Sequence, residues 1–149
     1  MFQQQVLPRM WPGNETMQHL RVGYSCMSSP QCLGCWRMRD SYHEIGLNSS
    51  LLCLAPGESF VVGGRHCETL QETLVAVIEH ELVHASLYTM YVEEYAPEEA
   101  YQLASQHGPE FEQLAHLYFG HTSSHAHKLQ LAKAVVHEED THSVFLEAG

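Results

Sequence analysis

The chain has 149 residues, 44% hydrophobic and 17% charged, with a formal net charge of −11 when histidines are neutral. That length matches one domain with its own core, and the composition is that of a globular chain. Such acidity, with only seven Lys and Arg, excludes a broad basic face for nucleic acid, because neutralising phosphates takes clustered cations.

Taken in chain order, residues 1–19 carry Pro8, Pro12 and Gly13 and read as a loosely ordered lead-in. MFQQQVLPRMWPG lacks the basic start and apolar stretch of a secretory signal, and no later run approaches the ~20 apolar residues of a membrane span. An intracellular protein without membrane contact is expected. From Leu20 to about Val62 the texture is strand and turn. RVGYSC, LGCWRM and YHEIGLN are short aromatic and β-branched runs separated by SSPQ, RDS and PGE, which predicts a small antiparallel meander. FVVGG at 60–64 reads as a further edge piece. Arg37 and Arg39 could form a small local basic patch.

Five cysteines, an odd number outside a secretory context, favour reduced thiols over a disulfide framework. Cys32 and Cys35 form one C-x-x-C, with Cys26 upstream, where a zinc ribbon would need two such knuckles. Structural thiols are the main reading, and an accessory metal site through Cys26, Cys32 and Cys35 the minor one. Cys53 and Cys67 read as small buried hydrophobes.

At Thr69 the texture changes. TLQETLVAVIEHELVHASLYTMYVEEY contains no Pro or Gly, and Thr69 with Glu72 matches a capping box, so a helix should start there. Its apolar positions cover most of the circumference, the pattern of a buried central helix. Pro97 should end it or open the next segment, PEEAYQLASQ, a short acidic helix or a loop. HGPEFEQLAHLYFG predicts another helix, with Pro109 in the first turn, Phe111, Leu114, Leu117 and Tyr118 as its stripe and Gly120 as its stop. Residues 124–138 read as a last amphipathic helix before a polar, frayed tail.

HELVH lies inside the central helix. In a chain with twelve histidines, H-E-x-x-H alone is a weak signal; its setting strengthens it. Residues four apart share a helix face, so His80 and His84 can present two imidazoles to one ion, with Glu81 bordering the same face. Two histidines and a glutamate amid apolar residues would be costly to desolvate without a partner, and a metal is the obvious one. A metal so held acidifies a water and polarises a carbonyl while Glu81 shuttles the proton. A catalytic site needs a third ligand. The metzincin pattern would put Gly at 87 and His at 90, where this chain has Leu87 and Met90. Glu98 and Glu99 are available but sit in a polar run, and His107, ahead of Gly108 and Pro109 at a predicted helix start, is the stronger candidate.

HELVHASL followed by HGPEF resembles the core of the SprT-like zinc metallopeptidases, the group that includes the Spartan proteases. LGCW at 33–36 and IGLNSSLL at 45–52 resemble that family's strand pair, and the resemblance covers roughly residues 22–120. It implies His80, His84 and His107 as zinc ligands and Glu81 as general base. It also implies a cleft-flanking strand on which an extended substrate could be added. The expected fold is α+β and zincin-like: a small antiparallel sheet on a central HExxH helix, with further C-terminal helices. The metallopeptidase domain would span 20–123, with 124–149 as its C-terminal helix and tail. The expected function is a zinc endopeptidase acting on protein substrates. Its alternatives are a catalytically silent metal-binding module that recruits proteins, and a histidine-rich structural protein. Relatives carry a longer N-terminal helical segment, and the stretch from His84 to His107 is long enough to form a lid. DNA-dependent cleavage of crosslinked proteins, an activity of Spartan-type members, is disfavoured by the acidity and by the lack of a Cys-rich ribbon or basic tail after HGPEF. His116 is expected at the surface or beside the site, His121, His125 and His127 in a polar turn, and His43 and His66 in structural roles. Tyr88 and Tyr91 are expected in the core or at the cleft rim.

Overall fold

The computed structural model describes residues 20–25, 32–39, 42–53, 57–130 and 142–145. The expected lead-in, and Cys26 with it, lie outside these residues. The architecture is α+β, with two small sheets and three α-helices among the described residues. Strands β1 (Leu20–Ser25), β2 (Gly34–Arg39) and β3 (Tyr42–Asn48) form the first sheet, in the order β1-β3-β2. β2 and β3 are the antiparallel pair expected from LGCWRM and YHEIGLN, with Trp36 opposite Ile45. β1 departs from the meander: it runs parallel to β3, Val22 opposite Ile45. Ile45 to Asn48 are all buried, so β3 takes the central place that suits a strand covered on both faces, and β1 lies on its far edge.

A 3-10 turn, Ser49–Cys53, leads toward the second sheet. β4 (Glu58–Val62) and β5 (Arg65–Cys67) form a hairpin around Gly63 and Gly64, whose φ angles of 61° and 83° suit the two-residue turn. β4 is not the edge piece expected of FVVGG. It lies between β5 and β6 (His125–Gln130), and β7 (His142–Phe145) completes the order β5-β4-β6-β7. Here the expected helix over 124–138 and the frayed tail are both corrected. Ala, Lys, Leu and Gln favour a helix locally, yet the segment pairs antiparallel with β4, from Ala126 opposite Val62 to Gln130 opposite Glu58. Residues 131–141 lie outside the described part.

Helix α1 (Leu70–Tyr91) starts where the capping box put it: the Thr69 hydroxyl accepts the Glu72 amide at 3.1 Å. It ends at Tyr91, ahead of Pro97. Glu93 and Glu94 follow at its negative end, where further carboxylates oppose the helix dipole. Residues 80–87 of α1 are buried without a break. One apolar cluster joins Leu82, Val83 and Leu87 of the helix to Trp36 and Ile45 of the first sheet and to Phe111 and Ala115. A second joins Ala76 and Val77 to Leu33 and Leu47 and to Phe60, Val62 and Ala126 of the other sheet. The helix therefore contacts both sheets, as a helix apolar all round must. Helices α2 (Pro97–Ala104) and α3 (Pro109–Phe119) follow, each with proline in its first turn, and Gly120 closes α3 in the left-handed conformation.

Polar ties fix these parts together. Glu79 of α1 meets Arg65 of β5 at 3.2 Å and the His121 ring at 3.1 Å, while Arg65 donates to the Phe119 carbonyl at 2.6 Å. His121 lies in the loop that follows Gly120, as expected, but it is buried against Glu79 rather than solvated. His125 and the backbone of His127 belong to β6, and His116 is exposed. His66 is exposed and meets the Ser59 hydroxyl at 3.0 Å. Cys67 is buried as expected, and burial raises its thiol pKa. Arg37 and Arg39 both pair with Glu44, at 3.1 and 3.0 Å, which neutralises much of the local basic patch. No helix among the described residues is long and apolar enough to cross a membrane.

Candidate metal centre

His80 and His84 sit one turn apart on the buried stretch of α1, and His107 lies in the short connection between α2 and α3. The structure brings the three together: one ligand nitrogen from each falls within 4.8 Å of the others. His107 Nε2 is 3.1 Å from His80 Nε2 and 3.1 Å from His84 Nε2. A tetrahedral ion with bonds of ~2.0–2.1 Å to imidazole spaces its ligand nitrogens about 3.3–3.4 Å apart. The observed spacing is close to that, so the three side chains fit a metal ion of this size.

The hydrogen-bond chemistry agrees. His84 Nδ1 lies 2.6 Å from the Ala104 carbonyl oxygen at the end of α2. A carbonyl only accepts, so Nδ1 carries the hydrogen and the Nε2 lone pair faces the other two rings. Burial lowers the His84 imidazole from its ordinary 6.5 to about 3, the bond to Ala104 resisting and nearby His107 assisting. The ring is therefore neutral at physiological pH. One hydrogen placed among converging nitrogens serves a single pair at a time, whereas a cation accepts all three lone pairs.

Aromatic rings hold the imidazoles in place. The Phe111 ring packs with its centroid 4.7, 4.6 and 4.9 Å from those of His80, His84 and His107. Trp36 of β2 stacks on His84 at 6.1 Å and on Tyr101 of α2 at 5.1 Å. Its indole N–H donates to His43 Nδ1 at 3.0 Å, which gives buried His43 the structural role expected of it. Tyr88 is half-buried against the Trp36 ring, and Tyr91 packs on Tyr95.

Glu81 is fully buried, and neither carboxylate oxygen has a hydrogen-bond partner within the protein among the described residues. Burial raises its pKa well above the ordinary carboxylate value. A buried carboxyl group without a protein partner is costly, and a cation with its bound water is a partner that would relieve the cost. Beside it runs β2. A Cβ on Gly34 would lie 3.5 Å from Glu81 Cγ, 3.3 Å from the Gly46 carbonyl and 2.5 Å from Val77 Cγ1. Glycine at 34 is thus what lets the strand approach the helix at the level of Glu81.

Glu98 and Glu99, the other candidate third ligands, are exposed in the first turn of α2 and take no part in the cluster. No second metal cluster occurs among the described residues, and Cys32 and Cys35 take no part in one there. Sequence reasoning missed the Ala104 carbonyl, because a main-chain oxygen leaves no signature. It also missed the packing of Trp36 and Phe111 on the imidazoles, although both lie in the segments LGCW and HGPEF. Comparison of the chain with known protein families, with curated proteins and with solved structures finds no match.

Proposed function

We propose that this protein is a zinc-dependent endopeptidase of the SprT-like, zincin-like kind, with His80, His84 and His107 holding the ion and Glu81 as general base. The observation that carries this reading is the convergence of three imidazole nitrogens, two of the contacts at 3.1 Å, beside a buried carboxyl group without a hydrogen-bond partner among the described residues. When bound, zinc would supply Lewis acidity toward a peptide carbonyl and lower the pKa of a water.

The remaining work falls to the chain's own groups. Glu81 takes the proton from the attacking water and delivers it to the departing amine, and its raised pKa suits a group that must both accept and release a proton. His84, locked by Ala104, keeps its lone pair directed inward throughout. Phe111 and Trp36 exclude bulk water from the far sides of the rings. β2 is an outer strand of its sheet among the described residues, so an extended polypeptide can pair along its outer edge and pass Glu81 near Gly34. The substrate class is therefore extended or unfolded protein, and a chain this acidic has little to draw it to nucleic acid.

Untagged protein should contain about one zinc per chain by elemental analysis. Glu81→Gln should retain that zinc and lose cleavage of unfolded casein by about a thousandfold or more. Undiminished cleavage in this variant would remove Glu81 from the mechanism. Zinc without any cleavage in the parent would leave a metal-binding module instead.

A further inference from the structure

Resting on the peptidase reading above, we propose that a depression beyond Met38 is a specificity subsite for a large apolar side chain on the N-terminal side of the cleaved bond. The depression has a volume of about 400 Å³ and is lined by Met38 of β2, Tyr88 of α1, and Pro97, Glu98, Tyr101 and Gln102 of α2. It is roomy enough for one Phe or Leu side chain, and apart from Glu98 and Gln102 its lining residues offer that side chain hydrocarbon and aromatic surface.

The register of β2 links this depression to the site. Gly34 lies against Glu81, and Met38 is on the same strand and the same face as Gly34 and Trp36, because side chains alternate. At ~3.3 Å per residue, Met38 is about 13 Å along the strand from Gly34. A polypeptide added to the outer edge of β2 advances at the same rate, and residues directly opposite one another share a face. A substrate residue aligned with Met38 therefore points into the depression while the chain near Gly34 passes Glu81. Antiparallel pairing is the more stable of the two ladders. In that orientation the chain runs from Met38 toward Gly34, so the residue in the depression precedes the cleaved bond by three to five positions. A carboxylate there would meet Glu98 and be disfavoured.

The test uses fluorescein-labelled Gly/Ser-rich dodecapeptides that carry Phe, Leu, Ser or Asp at each position in turn. Hydrolysis by the zinc-loaded parent is compared with equilibrium binding to zinc-loaded Glu81→Gln. Phe or Leu three to five residues before the cleaved bond should raise kcat/KM about tenfold or more over Ser and tighten binding similarly, with Asp the poorest. Gln102→Trp, which fills the depression from an exposed position, should reduce that preference to within about twofold while cleavage of the Ser peptide persists. Met38→Ser gives a second probe from the opposite wall. Binding selectivity without hydrolysis would retain the subsite and overturn the peptidase reading. Hydrolysis with no preference at these positions, a preference only after the cleaved bond, or a preference untouched by both variants would overturn the subsite and leave the peptidase reading intact.

Discussion

Gly34→Ala puts the contact between β2 and α1 to the test. The new Cβ would stand 2.5 Å from Val77 Cγ1, whereas carbon atoms in good contact are ~3.5–4.0 Å apart, so roughly 1 Å of separation has to be found. Val77 cannot easily yield: it is fully buried, and a β-branched side chain on a helix has one strongly preferred rotamer. The strand must move, against the ladder that pairs Gly34 with Leu47. Overpacking of this kind costs about 1–3 kcal/mol, which in a domain of this size lowers Tm by roughly 3–10 °C. Because the strand moves at the level of Glu81, a displacement near 1 Å should also reduce peptide hydrolysis by about a hundredfold. The assay is a thermal melt of Gly34→Ala, of Val77→Ala and of the double variant, each with its zinc content measured. In the double variant the clash is gone, so it should be more stable than the sum of the single effects requires, by at least about 1 kcal/mol. A Gly34→Ala protein melting within a degree of the parent, or strict additivity in the double variant, would refute the close approach.

Acid should destabilise the metal-free protein through His84. The folded state keeps this ring neutral down to about 3, while in the unfolded chain it takes a proton below its ordinary 6.5. Unfolding therefore binds a proton in that window, and stability should fall on acidification from 6.5 by up to ~1.4 kcal/mol per pH unit. Glu81 works in the opposite sense, its raised pKa eroding stability as pH rises above 4.5, so denaturant midpoints are best compared in the Glu81→Gln background. A midpoint that does not fall between pH 7 and pH 5 would contradict the burial of His84. His107→Ala should reduce zinc retention by at least about a hundredfold, and added zinc should no longer raise Tm; retention equal to the parent would move the third ligand elsewhere. At Gly64, φ is 83° and a Cβ would collide with the Thr122 hydroxyl, so Gly64→Ala should cost about 2 kcal/mol or more, read as a shift in urea midpoint. No shift would mean that the turn is not held by Thr122.

Much of the site was legible in the sequence because its signals are local. The four-residue spacing of His80 and His84 and the capping box at Thr69 are periodic or short-range patterns that depend on little else. So are the Pro109 and Gly120 boundaries of α3. His107 was reached by its place before Gly-Pro together with the HGPEF resemblance, and the structure sets it beside the other two. What failed was pairing between distant segments. β6 meets β4 across more than sixty residues of chain, and nothing within HAHKLQ announces that partner, so its helix-forming residues point locally to the wrong element. β1 was assigned to its sequence neighbour for the same reason. His121 does lie in a loop, but its burial is not legible locally, because its partner, Glu79, comes within reach only through the folding of distant segments.

Ala104 has a consequence for anyone who would shorten or transplant this site. Its carbonyl, at the end of α2, steers the second imidazole, so the residues between the two halves of the ligand set are a tether that also gears the ring. A briefer loop of equal reach could still deliver His107 to its place. It would leave the His84 ring free to spin and to exchange which nitrogen bears the hydrogen, and a graft carrying both histidine motifs without α2 would present a less ordered set of nitrogens than this chain does.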